Sequence, residues 1–189
     1  SVQTGDTSLT VTVKASQLTI TSLSSAGGAP DWIGAPVPVS LPDHVFINNA
    51  PQLVRWKFVG NAGSHPVGET ILRFISSEPK LELLSIWQAQ PGPGPVEHHF
   101  EIVNRSGQVI EVPIQSSLAL TLTAPADHSL ENWWVEKGCG RPSDAGTHRE
   151  PISDGYRFNG RSTPYAETRE MIPWMSIHDA TGSAGAYFG

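Results

Sequence analysis

The run LTVTVKASQLTI, residues 9–20, decides how the rest of the chain is read. Leu9, Val11 and Val13 alternate with Thr10, Thr12 and Lys14, and Leu18 and Ile20 repeat the period after Ala15-Ser16. A period of two puts one set of side chains on one face of a strand, and a short break between two such runs makes a hairpin. Outward from it, short runs of Val, Ile, Leu and Thr recur between 18 Gly and 16 Pro, which are spread along the chain rather than gathered in a linker. Windows of good helix formers are too short for much helix. This punctuation is the pattern of an all-β sandwich or barrel.

Further strands are expected along the chain. Val45-Phe46-Ile47 ends at Asn48-Asn49, residues that tolerate left-handed turns, and LVRWKFV at 53–59 resumes an extended run. Residues 69–76 and 81–90 are parted by SSEPK, while 96–103 and 108–116 flank Asn104-Arg105-Ser106-Gly107 and read as the clearest hairpin. Leu118, Leu120 and Leu122 alternate with Ala119, Thr121 and Thr123, and 171–177 and 184–188 surround the turn at 179–182. About ten strands in one chain predict a large two-sheet antiparallel β-sandwich, a single domain over 1–189.

One stretch resists this pattern: NWWVEKGCGRPSDAGTHREPISDGYRFNGRSTPYAETREMIPW, residues 132–174. It has no helical or alternating period, yet it contains Trp133, Trp134, Tyr156, Phe158, Tyr165 and Trp174. Disordered segments are poor in aromatics, so it is expected as one long ordered loop that covers or contacts something.

Composition narrows the functional classes. A length of 189 residues suits one all-β domain with a sizeable core. A net charge of −6 without a basic run argues against nucleic acid as a partner. No apolar run approaches the roughly 18 residues of a membrane helix, so no membrane association is expected. A lone Cys139 excludes an internal disulfide. The chain opens on Ser1 and ends on GAYFG as a strand begins, so it is expected to be the N-terminal part of a longer, multidomain protein.

The chemistry-bearing residues form no specific constellation. Cys139 and His148 would need a thiolate-favouring geometry, and no family signature surrounds the cysteine, so an inert thiol is the better reading. His98 and His99 are adjacent in a strand and point to opposite faces, and the other histidines are scattered, so neither metal nor cofactor is expected. Glu131, Glu136, Asp144, Glu150, Asp154, Glu167 and Glu170 offer many carboxylate pairs and single out none for glycoside hydrolysis. Signatures for hydrolase serines, nucleotide phosphates and dinucleotides are missing. The sequon Asn104-Arg105-Ser106 is read as a chance tripeptide. No catalytic residue is assigned. The aromatics of the long stretch are the better signal: Trp133, Trp134, Tyr156 and Tyr165 could stack on sugar rings, with Glu136, Lys137, His148, Arg149 and Glu167 taking hydroxyls. The same residues suit packing or a domain interface, which is the preferred reading.

Several motifs together resemble a known family. LTITSL at 18–23 with DWIG at 31–34, VFINNAPQLVRWKFVG at 45–60, HHFEIVNRSGQVIEVPI at 98–114, WWVEKGCGRPSDAGTH at 133–148 and REMIPWMSIHDATGSAGAYFG at 169–189 carry the likeness. They are similar to the N-terminal β-supersandwich domain, galactose-mutarotase-like in fold, of the α-galactosidase (melibiase-like) glycoside hydrolases of clan D. Cys139 and PGPGP at 91–95 depart from that pattern. The resemblance implies a non-catalytic domain that packs on a downstream (β/α)₈ barrel, where the catalytic carboxylates of such enzymes lie, and that supports carbohydrate hydrolysis or homo-oligomer contacts. The alternative is a stand-alone carbohydrate-binding module with Trp133, Trp134 and Tyr165 as its platform for an oligosaccharide.

Overall fold

The hairpin expected over 9–20 forms. Ala15 and Ser16 both take left-handed backbone angles, φ 49° and 65°, which suit a two-residue link between twisted strands. The computed structural model describes all residues except 29, 63–67, 115–118, 124–128, 137–145, 163–170 and 182–183. The described residues form fourteen strands, every pairing antiparallel, and no helix. The all-β expectation holds. The chain groups into two compact units, Ser1–Thr123 and Ala124–Gly189.

In the first unit, β1 (Val2–Gln3), β2 (Thr7–Lys14), β3 (Gln17–Ser25) and β4 (Val37–Pro38) make one sheet in chain order. A hairpin of β5 (His44–Ile47) and β6 (Ala50–Leu53) follows. The second four-stranded sheet runs β10-β9-β8-β7, from β7 (Lys57–Asn61), β8 (Glu69–Ser77), β9 (Lys80–Ala89) and β10 (Val96–Asn104). Val2, Leu9, Leu18, Ile20 and Val37 of one sheet share an apolar cluster with Leu72, Phe74, Leu83 and Trp87 of the other. Both sheets therefore feed one core, as the sheets of a β-sandwich do. Each fully buried large side chain in it contributes about 1.5–3 kcal/mol.

The turn at Asn48-Asn49, φ 51° and 61°, sets the register of the β5–β6 ribbon. Its pairing puts Pro51 opposite Phe46, a position whose backbone points away from the partner strand, so the missing N–H of proline costs no ladder bond. Phe46 accordingly turns its own N–H and C=O outward and exchanges both bonds with Glu111, at 2.8 and 2.9 Å.

Three strand expectations need correction. LVRWKFV is not one strand: Val54 donates to the Asp43 carbonyl, which prolongs the β5–β6 ribbon by one pair, and Trp56 Nε1 anchors the chain to the Pro42 carbonyl before β7 begins in another sheet. The expected hairpin of 96–103 with 108–116 does not form. β10 pairs along its whole length with β9, so PGPGP is the hairpin loop, and the described residues of 108–116 make only the Phe46–Glu111 bridge. Pro113 has no N–H to give a ladder there. Residues 119–123 carry Leu120 and Leu122 against the core but hold no strand ladder, and Thr123 donates to the Trp32 carbonyl at 2.8 Å instead.

The second unit corrects the largest expectation. Much of the supposed loop is sheet: β11 (Leu130–Glu136) and β12 (Thr147–Ile152) lie within or beside it, and β13 (Met171–Asp179) and β14 (Gly185–Phe188) complete the order β12-β11-β13-β14. β11 is a central strand with a tryptophan on each face, and a strand covered on both sides shows no apolar–polar alternation. Pro173 falls where the β11–β13 register shifts, between the Trp134↔Met175 and Glu136↔Met171 pairs.

Candidate functional site

Registered pairs in an antiparallel sheet project to the same side, so β11 sorts the candidate residues onto two faces. Asn132, Trp134 and Glu136 share one with His148 and Glu150 of β12. Glu131 and Trp133 share the other with Arg149 of β12, with Ser176 and His178 of β13, and with Tyr187 of β14. Trp133 and Trp134 therefore cannot belong to one flat platform.

On the first face the segment after β12 turns back over the sheet. Phe158 lies 4.7 Å from the Trp134 ring, and His148 stacks on Trp134 at 4.9 Å with planes 13° apart. His148 Nε2 is 3.1 Å from Glu136 Oε1. Tyr156 accepts a hydrogen bond from fully buried Asn132 at 3.0 Å and donates to Glu150 at 3.1 Å. Burial, reinforced by the Glu150 carboxylate and opposed by the Asn132 bond, pushes the Tyr156 hydroxyl above its ordinary range. These contacts make Trp134, Glu136, His148 and Tyr156 a packed layer over the sheet.

On the second face a row runs Arg149, Trp133, Ser176, Tyr187 across all four strands. The Arg149 guanidinium sits 5.1 Å from the Trp133 centroid, a cation–π distance, and holds Glu131 at 2.6 Å. That hydrogen bond is the main reason the Glu131 carboxyl lies below its usual range. His178 lies 5.6 Å from Trp133 on the other side and reaches Ser176 Oγ at 2.8 Å. Trp133 is thus framed by its neighbours. The open rings are Trp174 and Tyr187, 38% and 48% exposed, with Ile172 on the same strand 42% exposed. Trp174 stands two residues from Ser176 on β13, diagonally across from Tyr187, about 7 Å apart in such a pair.

Of the nine residues singled out from sequence, Trp133 and Arg149 meet on one face and Trp134, Glu136, His148 and Tyr156 on the other. Lys137, Tyr165 and Glu167 lie outside the described residues, as does Cys139. His98 and His99 do point to opposite faces: His98 stacks on Trp87, while His99 is exposed. Among the described residues no three His, Cys, Asp or Glu side chains gather as a metal site would require. Sequence reading missed Trp174, Tyr187 and His178 as members of the second face. The signal was available in the register of MIPWMSIHD against GAYF, had the central strand been recognised. No protein-family model, curated protein or solved structure matches the chain. The arrangement can bind flat apolar surface flanked by charge; the one hydroxyl–imidazole pair among the described residues of that face, Ser176 with His178, is closed off, because Ser176 is only 2% exposed.

Proposed function

We propose that this chain is a non-catalytic β-domain of a larger glycoside hydrolase of α-galactosidase type, docking through its C-terminal sheet on a catalytic domain downstream. The supporting observation is the second face of the β11–β14 sheet, where Trp174, Tyr187 and Ile172 remain open beside the Arg149–Glu131 pair. Exposed aromatics beside a charged rim are the composition of a protein interface. The resemblance at 18–34, 45–60, 98–114, 133–148 and 169–189 supplies the enzyme class.

The test has two arms. The purified 189-residue chain is assayed on an aryl α-galactoside, with no turnover expected. The chain is then titrated with the separately produced segment encoded after it, and association is expected to weaken when Trp174 and Tyr187 become serine. Hydrolysis by the chain alone, abolished by one carboxylate substitution within it, would overturn the reading. The second reading, a carbohydrate-binding module, is favoured by one feature: Trp174 and Tyr187 stand open on adjacent strands, spaced to stack on neighbouring sugar rings. It moves the platform away from Trp133 and Trp134, and requires that oligogalactosides quench tryptophan fluorescence in the chain and not in Trp174→Ser.

A further inference from the structure

A cleft lies entirely within the first unit. Three turns converge on it: the β5–β6 ribbon with Arg55 behind it, the β8–β9 turn at 77–80, and the turn after β10. It is an open depression of about 910 Å³ with a mostly exposed lining. We infer that this cleft binds an acidic oligosaccharide, with Arg55 and Lys80 holding its carboxylate.

Charge is the first argument. The first unit carries six Lys and Arg against nine Asp and Glu, yet this cleft gathers Arg55 and Lys80 around one acid, Glu78. The other cations near it are spoken for: Arg73 and Arg105 both hold Glu82, at 2.6 and 3.4 Å. Among the described residues neither Arg55 nor Lys80 has a carboxylate partner. A guanidinium and an ammonium lining one cleft offer a carboxylate a planar fork and a point charge.

The second argument is the lining. Gln52, Gln108 and Ser77 also face the cleft, and their side chains make no hydrogen bond to protein among the described residues. Amides and hydroxyls are donors and acceptors at once, which suits sugar hydroxyls. Leu53, 71% exposed, forms an apolar wall on which the C–H face of a sugar ring can rest.

The third is rigidity. Arg105 N–H donates to the Lys80 carbonyl at 2.9 Å, which ties two of the three turns together. Asn104 Oδ1 accepts from Ser106 N–H and Ser106 Oγ, at 2.9 and 2.6 Å. The Val54 and Trp56 bonds to Asp43 and Pro42 fix the strand end before and after Arg55. Walls held this way lose little freedom on binding.

The choice of a saccharide rests on the glycosidase reading; the choice of an anion rests on the cleft alone. Calorimetry with three probes separates them: trigalacturonate, its neutral methyl ester, and a triglutamate peptide. Trigalacturonate is expected to bind with an affinity that falls as salt rises, more tightly than either other probe. Arg55→Gln with Lys80→Gln is expected to lose about tenfold or more of that affinity, with an unchanged melting temperature because both side chains are exposed. Equal binding of the ester overturns the role of the two cations. Equal binding of triglutamate leaves an anion site and overturns the saccharide. No binding of any probe overturns the cleft, and leaves the docking of the C-terminal sheet to its own test.

Discussion

The imidazole of His98 lies nearly parallel to the indole of Trp87, ring centroids 3.9 Å apart and planes 22° apart, and the two are direct cross-strand partners on β10 and β9. Ser85, one strand period away, accepts from Trp87 Nε1 at 2.9 Å and meets His98 Nε2 at 3.2 Å. Trp134 and His148 repeat the cross-strand stack in the other unit. Such pairs favour one register over its slipped alternatives. In the first unit the hydroxyl also satisfies a buried indole N–H. Ser85→Ala leaves that donor without a partner, so a loss of about 1–3 kcal/mol is expected in urea denaturation, with an unchanged m-value. A loss below about 0.5 kcal/mol would mean that the hydroxyl does not hold the ring.

Gly5 sits against the PGPGP hairpin loop. Its N–H donates to the Gly92 carbonyl at 2.6 Å, and a Cβ added there would stand 2.8 Å from both the Gly92 carbonyl carbon and the Pro93 nitrogen. Backbone on a proline-flanked turn cannot yield as a side-chain tip can. Gly5→Ala is therefore expected to cost about 1–3 kcal/mol by overpacking. The loss should appear as a lower melting temperature. A neutral result would show that β1 slides on the loop.

Legibility followed turn chemistry and failed at pairing. Asn48-Asn49 and the Leu9–Ile20 alternation were readable because local geometry alone decides such links. Asn104 to Gly107 was also a true turn, with Gly107 at φ 72°. A turn does not say which strand comes next to which, however, and β10 had already been paired by the PGPGP loop. The stretch 132–174 was unreadable for a different reason. Trp133 packs with Arg149 and Trp134 with His148 on opposite faces, so β11 carries aromatics on both sides and has no period to detect. The site is hidden for the same reason: Trp133 and Trp134, adjacent in sequence, face opposite ways, while Tyr187, far along the chain, shares a row with Trp133.

Glu82 lies below the usual carboxylate range, chiefly because Arg73 donates to it at 2.6 Å and secondarily because Arg105 stands at 3.4 Å. A carboxyl whose folded value is depressed stabilises the fold above its unfolded value, near 4.5, and that contribution is lost as pH falls through the lower folded value. Melting temperatures measured downward from pH 5 or so should fall more steeply in the natural chain than in Glu82→Gln. Parallel curves for the two would show that the pair contributes nothing in acid.

Trp134 and Trp174 separate packing from recognition. Trp134 lies between His148 and Phe158, so Trp134→Ala is expected to cost about 3 kcal/mol or more in chemical denaturation. Trp174 is 38% exposed, so Trp174→Ser should stay within about 1 kcal/mol while weakening association with the proposed downstream domain. The opposite pattern, a large stability loss at Trp174 and unaltered association, would remove the second face as the docking surface.

Tyr156 joins the covering segment to the sheet through Asn132, which is fully buried, and through Glu150. Its hydroxyl is raised above the ordinary value of 10.0, chiefly by burial, with the Glu150 carboxylate adding to the rise and the Asn132 bond opposing it. A group with a raised folded value contributes stability that is complete below the unfolded value and is lost as pH rises through the folded one. Phenolate absorbance should therefore show one of the three tyrosines titrating late, together with loss of the covering segment. Tyr156→Phe should abolish that late component and, by leaving the Asn132 amide without its acceptor, cost about 1–3 kcal/mol at neutral pH. If the late component survives the substitution, the Asn132–Tyr156–Glu150 chain is not what closes the segment over β11.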